Sequence, residues 1–258
     1  MKQAVIVIGI GELGAVFARG LLRLGHPVHP VTRDMDIAAV ADALPTPLMA
    51  LLAVAEKDLQ ASLSTIPKAW QDRLALLQNE LLPRDWAAAG LPQPTVISVW
   101  FEKKKGQDVT VVIPSPVFGT QATLLSDALE GLDIPTRIVA SADELLFELV
   151  RKNVYILTTN IAGLVVGGTV AELWRDHETL ARTVARDVID IQEQLTGKQF
   201  DSAALIAGML EAFDGDPQHA CMGRSAPARL RRALEEADLA GLAVPKLREI
   251  AAAQLPDY

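Results

Sequence analysis

Three glycines, Gly9, Gly11 and Gly14, follow directly on the apolar run Ala4-Val5-Ile6-Val7-Ile8, and their spacing constrains chemistry more sharply than any other feature of the chain. In the order Gly9-Ile10-Gly11-Glu12-Leu13-Gly14 they supply a tight turn, a backbone bare enough for close approach, and a packing position between strand and helix. Unpaired backbone N–H groups and the positive end of the helix dipole then face outward, where they attract a pyrophosphate. The loop predicts a dinucleotide site formed by Gly9, Gly11, Glu12, Leu13 and Gly14. The alternative is a glycine turn that binds nothing. The next strand ends about 20 residues later at Val31-Thr32-Arg33-Asp34, as the dinucleotide fingerprint requires. A carboxylate at this tip accepts from a ribose 2′-hydroxyl, whereas an arginine pairs with a 2′-phosphate. Thr32 followed by Arg33 therefore favours NADP. If Arg33 is instead a solvated surface residue, Asp34 or Asp36 takes the ribose.

Three further segments join the loop and Thr32-Arg33 in a pattern that resembles the ketopantoate reductase family over nearly the whole chain. The stretch Leu76-Leu77-Gln78-Asn79-Glu80-Leu81 looks like that family's strand ending in Gln-Asn-Gly-Leu, and Asn79 matches its active-site asparagine. Glu80 replaces the glycine, so the backbone there is expected to be shaped differently. The segment from Glu144 to Leu164 resembles the helix that carries a catalytic lysine with asparagines four and eight residues later; Lys152 and Asn160 match, and Ile156 does not. Residues at i, i+4 and i+8 advance only ~40° and ~80° around a helix, so Lys152 and Asn160 can project to one side. The run Cys221-Met222-Gly223-Arg224-Ser225-Ala226-Pro227 resembles the region of the catalytic glutamate, and Pro227 stands in its place.

The resemblance implies an NADPH-dependent oxidoreductase that reduces a small 2-oxo acid or a related carbonyl, with altered specificity. The alternatives are an NADP-binding protein without catalysis, serving as sensor or partner subunit, and another β-hydroxyacid or imine-type dehydrogenase on the same plan. Hydride delivery to a carbonyl carbon leaves charge on oxygen that must be neutralised or protonated. An ammonium does both, and desolvation makes it a better acid. Lys152 is the candidate for that role, with a helix-surface lysine beside Arg151 as the structural alternative. Asn79 and Asn160 are candidates for holding ribose or substrate; otherwise they are a strand-end turn residue and a buried polar contact. Arg224 and Ser225 are candidates for a substrate carboxylate, Arg224 through a bidentate pair. Otherwise Ser225 caps a helix that begins Ala226-Pro227.

Strand-length apolar runs alternate with amphipathic stretches through the first half, the pattern of a mostly parallel sheet covered by helices. Strands are expected at Val5–Ile8, Val28–Thr32, Leu48–Val54, Leu74–Leu77, Val96–Phe101, Val109–Ile113 and Thr136–Val139. Val96–Phe101 and Val109–Ile113, joined across Lys103-Lys104-Lys105-Gly106, read as an edge hairpin with a solvated basic tip. After about Ala140 only helices are expected: one from a Ser141/Glu144 capping box to about Val165, then Val170–Arg175, His177–Thr196, Ser202–Phe213, Ala226–Ala240 and Lys246–Gln254. Gly163, Gly167 and Gly168 are placed to let another helix approach. The fold class is thus α/β: a Rossmann domain over 1–140 and an all-helical domain over 141–258, which the resemblance makes similar to the C-terminal part of 6-phosphogluconate dehydrogenase.

A net charge of -8 over 258 residues argues against nucleic acid as partner, since phosphate tracking needs clustered positive charge. The single cysteine, Cys221, allows no internal disulfide, and with His219 makes too sparse a cluster for a metal. No apolar run reaches the ~18 to 20 residues of a membrane span, and the N-terminal run is too short for a signal core. A cytoplasmic location and a small-molecule substrate are the expectations. The helical half is able to form a homodimer, though nothing in its pattern demands one.

Overall fold

The computed structural model describes residues 2–91 and 93–255. The chain divides into two compact units, 1–149 and 150–258.

In the first unit, β1 (Val5–Ile8) leads through the glycine loop to α1 (Glu12–Arg23), β2 (Val28–Val31), α2 (Ile37–Ala43) and β3 (Met49–Leu52). A 3-10 turn at Glu56–Asp58 precedes α3 (Leu59–Thr65), and another at Lys68–Arg73 precedes β4 (Leu74–Leu76) and α4 (Pro83–Ala88). Then come β5 (Thr95–Ile97), β6 (Phe101–Lys103), β7 (Val109–Val111), β8 (Ser115–Phe118), α5 (Ala122–Glu130) and β9 (Thr136–Ile138). Seven strands form one sheet in the order β2-β1-β3-β4-β5-β8-β9, parallel except where β8 runs against β5. All four residues of β1 are buried, as are all four of β3. A parallel strand covered by helices on both faces must be apolar throughout, and Val-Ile-Val-Ile is such a strand.

On one face, Val5, Val7, Met49, Leu51, Ala75 and Ile97 pack with Phe17 and Leu21 of α1 and with Leu125 and Leu129 of α5. The two helices meet at Gly20, where a Cβ would lie 2.1 Å from the Ala128 carbonyl oxygen. A mid-helix glycine costs about 1 kcal/mol relative to alanine, and here it permits backbone contact that alanine would prevent. Trp70, in the turn before β4, is fully buried, its indole N–H donating to the Leu44 carbonyl at 2.9 Å.

The expected hairpin is divided between two sheets. Thr95–Ile97 belongs to the seven-stranded sheet, whereas Phe101–Lys103 pairs with Val109–Val111 in a separate two-stranded ribbon. In the main sheet β5 lies between β4 and β8, and no sequence expectation included β8; Pro114 and Pro116 argue against a strand there. Lys103 is not at the solvated tip either. It ends β6, and its ammonium lies 3.6 Å from the Glu12 carboxylate in the first turn of α1.

The second unit is helical, like every element after β9. α6 (Ala142–Val166) contributes its later part, followed by α7 (Val170–Thr196), α8 (Ser202–Gly215), α9 (Ala226–Leu239) and α10 (Pro245–Gln254). At the start of α6 the Ser141 hydroxyl accepts from the Glu144 N–H at 3.1 Å, and the Glu144 carboxylate accepts from the Ala140 N–H at 2.8 Å. α7 is continuous except at His177, whose φ of -136° and ψ of 32° break it where two helices were expected. Asp187 of α7, almost fully buried, caps α10 from a distance by accepting from Lys246 N–H at 2.7 Å and Leu247 N–H at 3.1 Å.

The small residues at the end of α6 act differently from expectation. A Cβ on Gly163 would lie 2.9 Å from the Cβ atoms of Cys221 and Met222, so it is a loop that approaches, not a helix. Gly167 and Gly168 have φ of 64° and 71° and terminate α6, a left-handed exit that glycine makes at little cost.

Candidate functional site

A cavity of about 960 Å³ opens at the carboxyl ends of β1, β2 and β3. Its lining includes Ile8 to Gly11 from the glycine loop, Val31 to Arg33 from the end of β2, and Ala53 to Ala55 from the end of β3. The sheet order reverses about β1, and ligands of open α/β sheets bind at such a switch point, outside the strand ends. Gln78, almost fully buried, ties the neighbouring strand ends together: its amide donates to the Leu52 carbonyl at 2.7 Å and the Val54 carbonyl at 3.4 Å, and its Oε1 accepts from Leu77 N–H at 3.1 Å.

The three glycines have three different environments. Gly9 has φ of 92°, and a Cβ on it would lie 2.7 Å from the Ala53 carbonyl oxygen. A Cβ on Gly14 would lie 2.0 Å from the Gly9 carbonyl oxygen. Both are therefore demanded by the protein itself. Gly11, the N-cap of α1, has an ordinary φ of -77°, and a Cβ there would meet nothing within 4 Å. Nothing in the chain requires a glycine at this position, whereas a pyrophosphate approaching the helix N-terminus would. The residues present fit a dinucleotide on this ground.

Of the expected cofactor residues, the structure brings Gly9, Gly11, Thr32 and Arg33 to the one cavity. Glu12 is exposed in the first turn of α1, Leu13 packs against the core, and Gly14 seats the helix on the strand. The Thr32 N–H donates to the Met35 sulfur at 3.5 Å. Asp36 does not belong to the cavity lining: it caps α2, its Oδ1 accepting from Ala38 N–H at 2.9 Å and Ala39 N–H at 3.4 Å. Asp34 is not in the lining either. The acidic residue that is there, Asp58, was not among the sequence candidates, because only the tertiary fold carries the Glu56–Asp58 turn to the end of β2.

Asn79 sits in the exposed turn that follows β4. Glu80 beside it has φ of 60°, in the left-handed region that glycine enters at least cost. Two substitutions that discard the same side chain isolate the effect. Glu80→Gly is expected to unfold no earlier than the parent and Glu80→Val earlier, the two differing by about 1–2 kcal/mol in chemical denaturation.

In the second unit every residue from Val150 to Gly163 is buried, Lys152 with 6% exposure among them. The reading of Lys152 as a surface residue beside Arg151 is therefore wrong for both. Arg151 is also buried, donating to the Gly208 carbonyl at 3.0 Å and to Glu211 at 2.9 Å. Asn160 donates to the Ile156 carbonyl at 2.9 Å, and its Oδ1 accepts from Arg229 at 3.1 Å and from Gly223 N–H at 3.4 Å. Asn160 thus anchors the loop that carries Arg224 and Ser225. Arg229, sixty-nine residues away in sequence, gave no signal of this pairing. Arg224 is exposed. Ser225 occupies the N-cap of α9 with helical angles, φ of -87° and ψ of -3°, and makes no side-chain cap bond, so the expected capping role is not fulfilled. The first turn of α9 contains Pro227 and no carboxylate.

Cys221 is buried, and desolvation, with a smaller contribution from the Glu172 charge, pushes its thiol up to about 11. A thiol so far above neutrality is inert as a nucleophile. Among the described residues no group of three His, Cys, Asp or Glu side chains is placed to hold a metal, and no helix is long and apolar enough to cross a membrane.

No family model and no curated protein sequence matches the chain. Solved structures do. The 2-dehydropantoate 2-reductase from Methylococcus capsulatus superposes with a TM-score of 0.71 at 14% identity, over 97% of this chain and 95% of that one. A dimeric ketopantoate reductase from Staphylococcus aureus gives 0.66 at 19% identity, with 97% of each chain covered. D-Mandelate dehydrogenase, solved with NADH and anilino(oxo)acetate, gives 0.67 at 14% identity, over 97% of this chain and 98% of that one. The fold is that of the ketopantoate reductases: a Rossmann unit followed by a helical one.

Proposed function

We propose that the chain is a nicotinamide-dependent reductase of small 2-oxo acids, able to use NADPH. The observation that carries this reading is Gly11: a glycine the protein does not need, at the rim of a cavity built by three parallel strand ends. The solved structures of the same fold support it, being named as 2-dehydropantoate and ketopantoate reductases and as D-mandelate dehydrogenase with NADH. When bound, a reduced nicotinamide supplies hydride to the carbonyl carbon.

This chain's residues have the remaining tasks. The backbone at Gly11 and the start of α1 receives the pyrophosphate, and Arg33 meets a 2′-phosphate. Lys152 neutralises and protonates the carbonyl oxygen, a role that suits an ammonium shielded from water. Asn79 holds ribose or substrate. Asn160, whose amide is committed to Ile156, Arg229 and Gly223, is a positioning residue that fixes the loop from which Arg224 and Ser225 engage a carboxylate. Oxidation of NADPH and of NADH, followed by absorbance with a panel of branched, aromatic and short 2-oxo acids, tests the proposal. At least one acid is expected to be turned over, and silence across the panel overturns it.

One observation favours a second reading, a dinucleotide-binding protein that does not catalyse: Pro227 where a carboxylate was expected in the first turn of α9. In that case NADPH raises the melting temperature by mass action while every member of the panel is inert.

A further inference from the structure

Two charged side chains of opposite sign line the cavity at the β1–β3 ends, Arg33 from beyond β2 and Asp58 from the turn before α3. Their closest atoms, Nη2 and Oδ2, are 3.9 Å apart, with side-chain exposures of 92% and 41%. Asp58 stands at the N-cap of α3, where an aspartate ordinarily accepts from its own helix. It makes no such bond; its backbone is already helical, with φ of -97° and ψ of -2°. The contrast with Asp36 is direct, since that carboxylate is consumed in capping α2. Among the described residues that line the cavity, Asp58 is the one carboxylate and Arg33 the one cation.

We infer that Asp58 is a cofactor-selecting residue. Resting on the proposed nicotinamide site, it accepts from the ribose 2′-hydroxyl of NADH and opposes the 2′-phosphate of NADPH, so that the protein takes both cofactors in a ratio set by the Arg33–Asp58 pair. The reasoning is electrostatic. A 2′-phosphate near Arg33 carries close to two negative charges at neutral pH, and it must compete with Asp58 for the guanidinium while lying within a few ångströms of the carboxylate. A 2′-hydroxyl brings no charge and offers a proton to that carboxylate. Arg33 draws the phosphate in, and Asp58 weakens the draw. A strand-tip acid, the usual selector, is thereby replaced by one delivered from the β3–α3 connection.

Dissociation constants for NADPH and NADH, measured by quenching of protein fluorescence at fixed low salt, test this in the parent, Asp58→Asn and Arg33→Gln. Both residues are at the cavity mouth, and melting curves establish that the variants fold. Asp58→Asn is expected to tighten NADPH about five- to tenfold and leave NADH unchanged or weaker, while Arg33→Gln weakens NADPH about tenfold and spares NADH, effects of the size expected for partly exposed charges. The NADPH gain of Asp58→Asn should shrink as salt is raised. The readout is the ratio of the two affinities, which a merely structural role would leave fixed. An unchanged ratio in Asp58→Asn overturns the assignment of Asp58 even where the parent binds both cofactors. A parent that binds neither overturns the nicotinamide reading itself, and the inference with it.

Discussion

Gly11→Val is expected to leave the protein folded and to weaken dinucleotide binding by at least about a hundredfold, because a side chain there would occupy the path of the pyrophosphate to the helix N-terminus. The backbone tolerates the change. With φ of -77° and ψ of -169°, Gly11 has angles that valine adopts readily, and the space a Cβ would enter contains no protein atom within 4 Å. Gly14→Ala is the contrasting control. Its new methyl would be 2.0 Å from the Gly9 carbonyl oxygen, so strand and helix must separate, at a cost of about 1–3 kcal/mol or more. Two measurements distinguish the pair. In the parent, NADPH at a hundred times its dissociation constant stabilises by about 2.7 kcal/mol, a shift of several degrees. Gly11→Val should melt with the unliganded parent and show no such shift, whereas Gly14→Ala should melt earlier with or without ligand. A Gly11→Val protein that binds as the parent does would make the loop an ordinary turn.

The difference between those glycines also shows what sequence can reveal. Strand, loop and helix start of the first unit were legible because their signals are local: an unbroken β-branched run for a strand covered on both faces and glycines at fixed offsets after it. The break at His177 coincides with the expected boundary between two helices, Val170–Arg175 and His177–Thr196. β8 was not legible. Pro114 and Pro116 are strong local evidence against a strand, and only pairing with β5 and β9 outweighs them. Glu80 is a residue ill suited to positive φ, and its type gives no sign of the left-handed turn it makes. The polar partnerships were least legible of all. Asn160 with Arg229 and Arg33 with Asp58 join residues that share no periodicity and meet only when distant elements are brought together.

Lys152→Met is the substitution expected to matter most for turnover. It keeps an unbranched side chain of similar volume inside a helix segment buried throughout from Val150 to Gly163, so packing is largely retained while the ammonium is lost. If Lys152 protonates the carbonyl oxygen, turnover falls by about 10²–10⁴, the usual worth of a positioned general acid. The dissociation constants of NADPH and NADH should move by less than about threefold, because the proposed dinucleotide site is built from the glycine loop and the β2 end and not from Lys152. A structural lysine would behave otherwise: the variant would melt earlier, yet turnover per folded molecule would be unchanged. The pH profile separates the two cases further. In the parent, kcat/KM should fall at high pH as the acid loses its proton, and that limb should be absent from the residual activity of the variant. Partial recovery of a Lys152→Ala variant by small primary amines, which supply an ammonium without its tether, would locate the missing proton donor at this position. A variant that is folded, binds dinucleotide and turns over at the parental rate would leave Lys152 with a packing role only, and the oxygen's proton would then have to come from another residue.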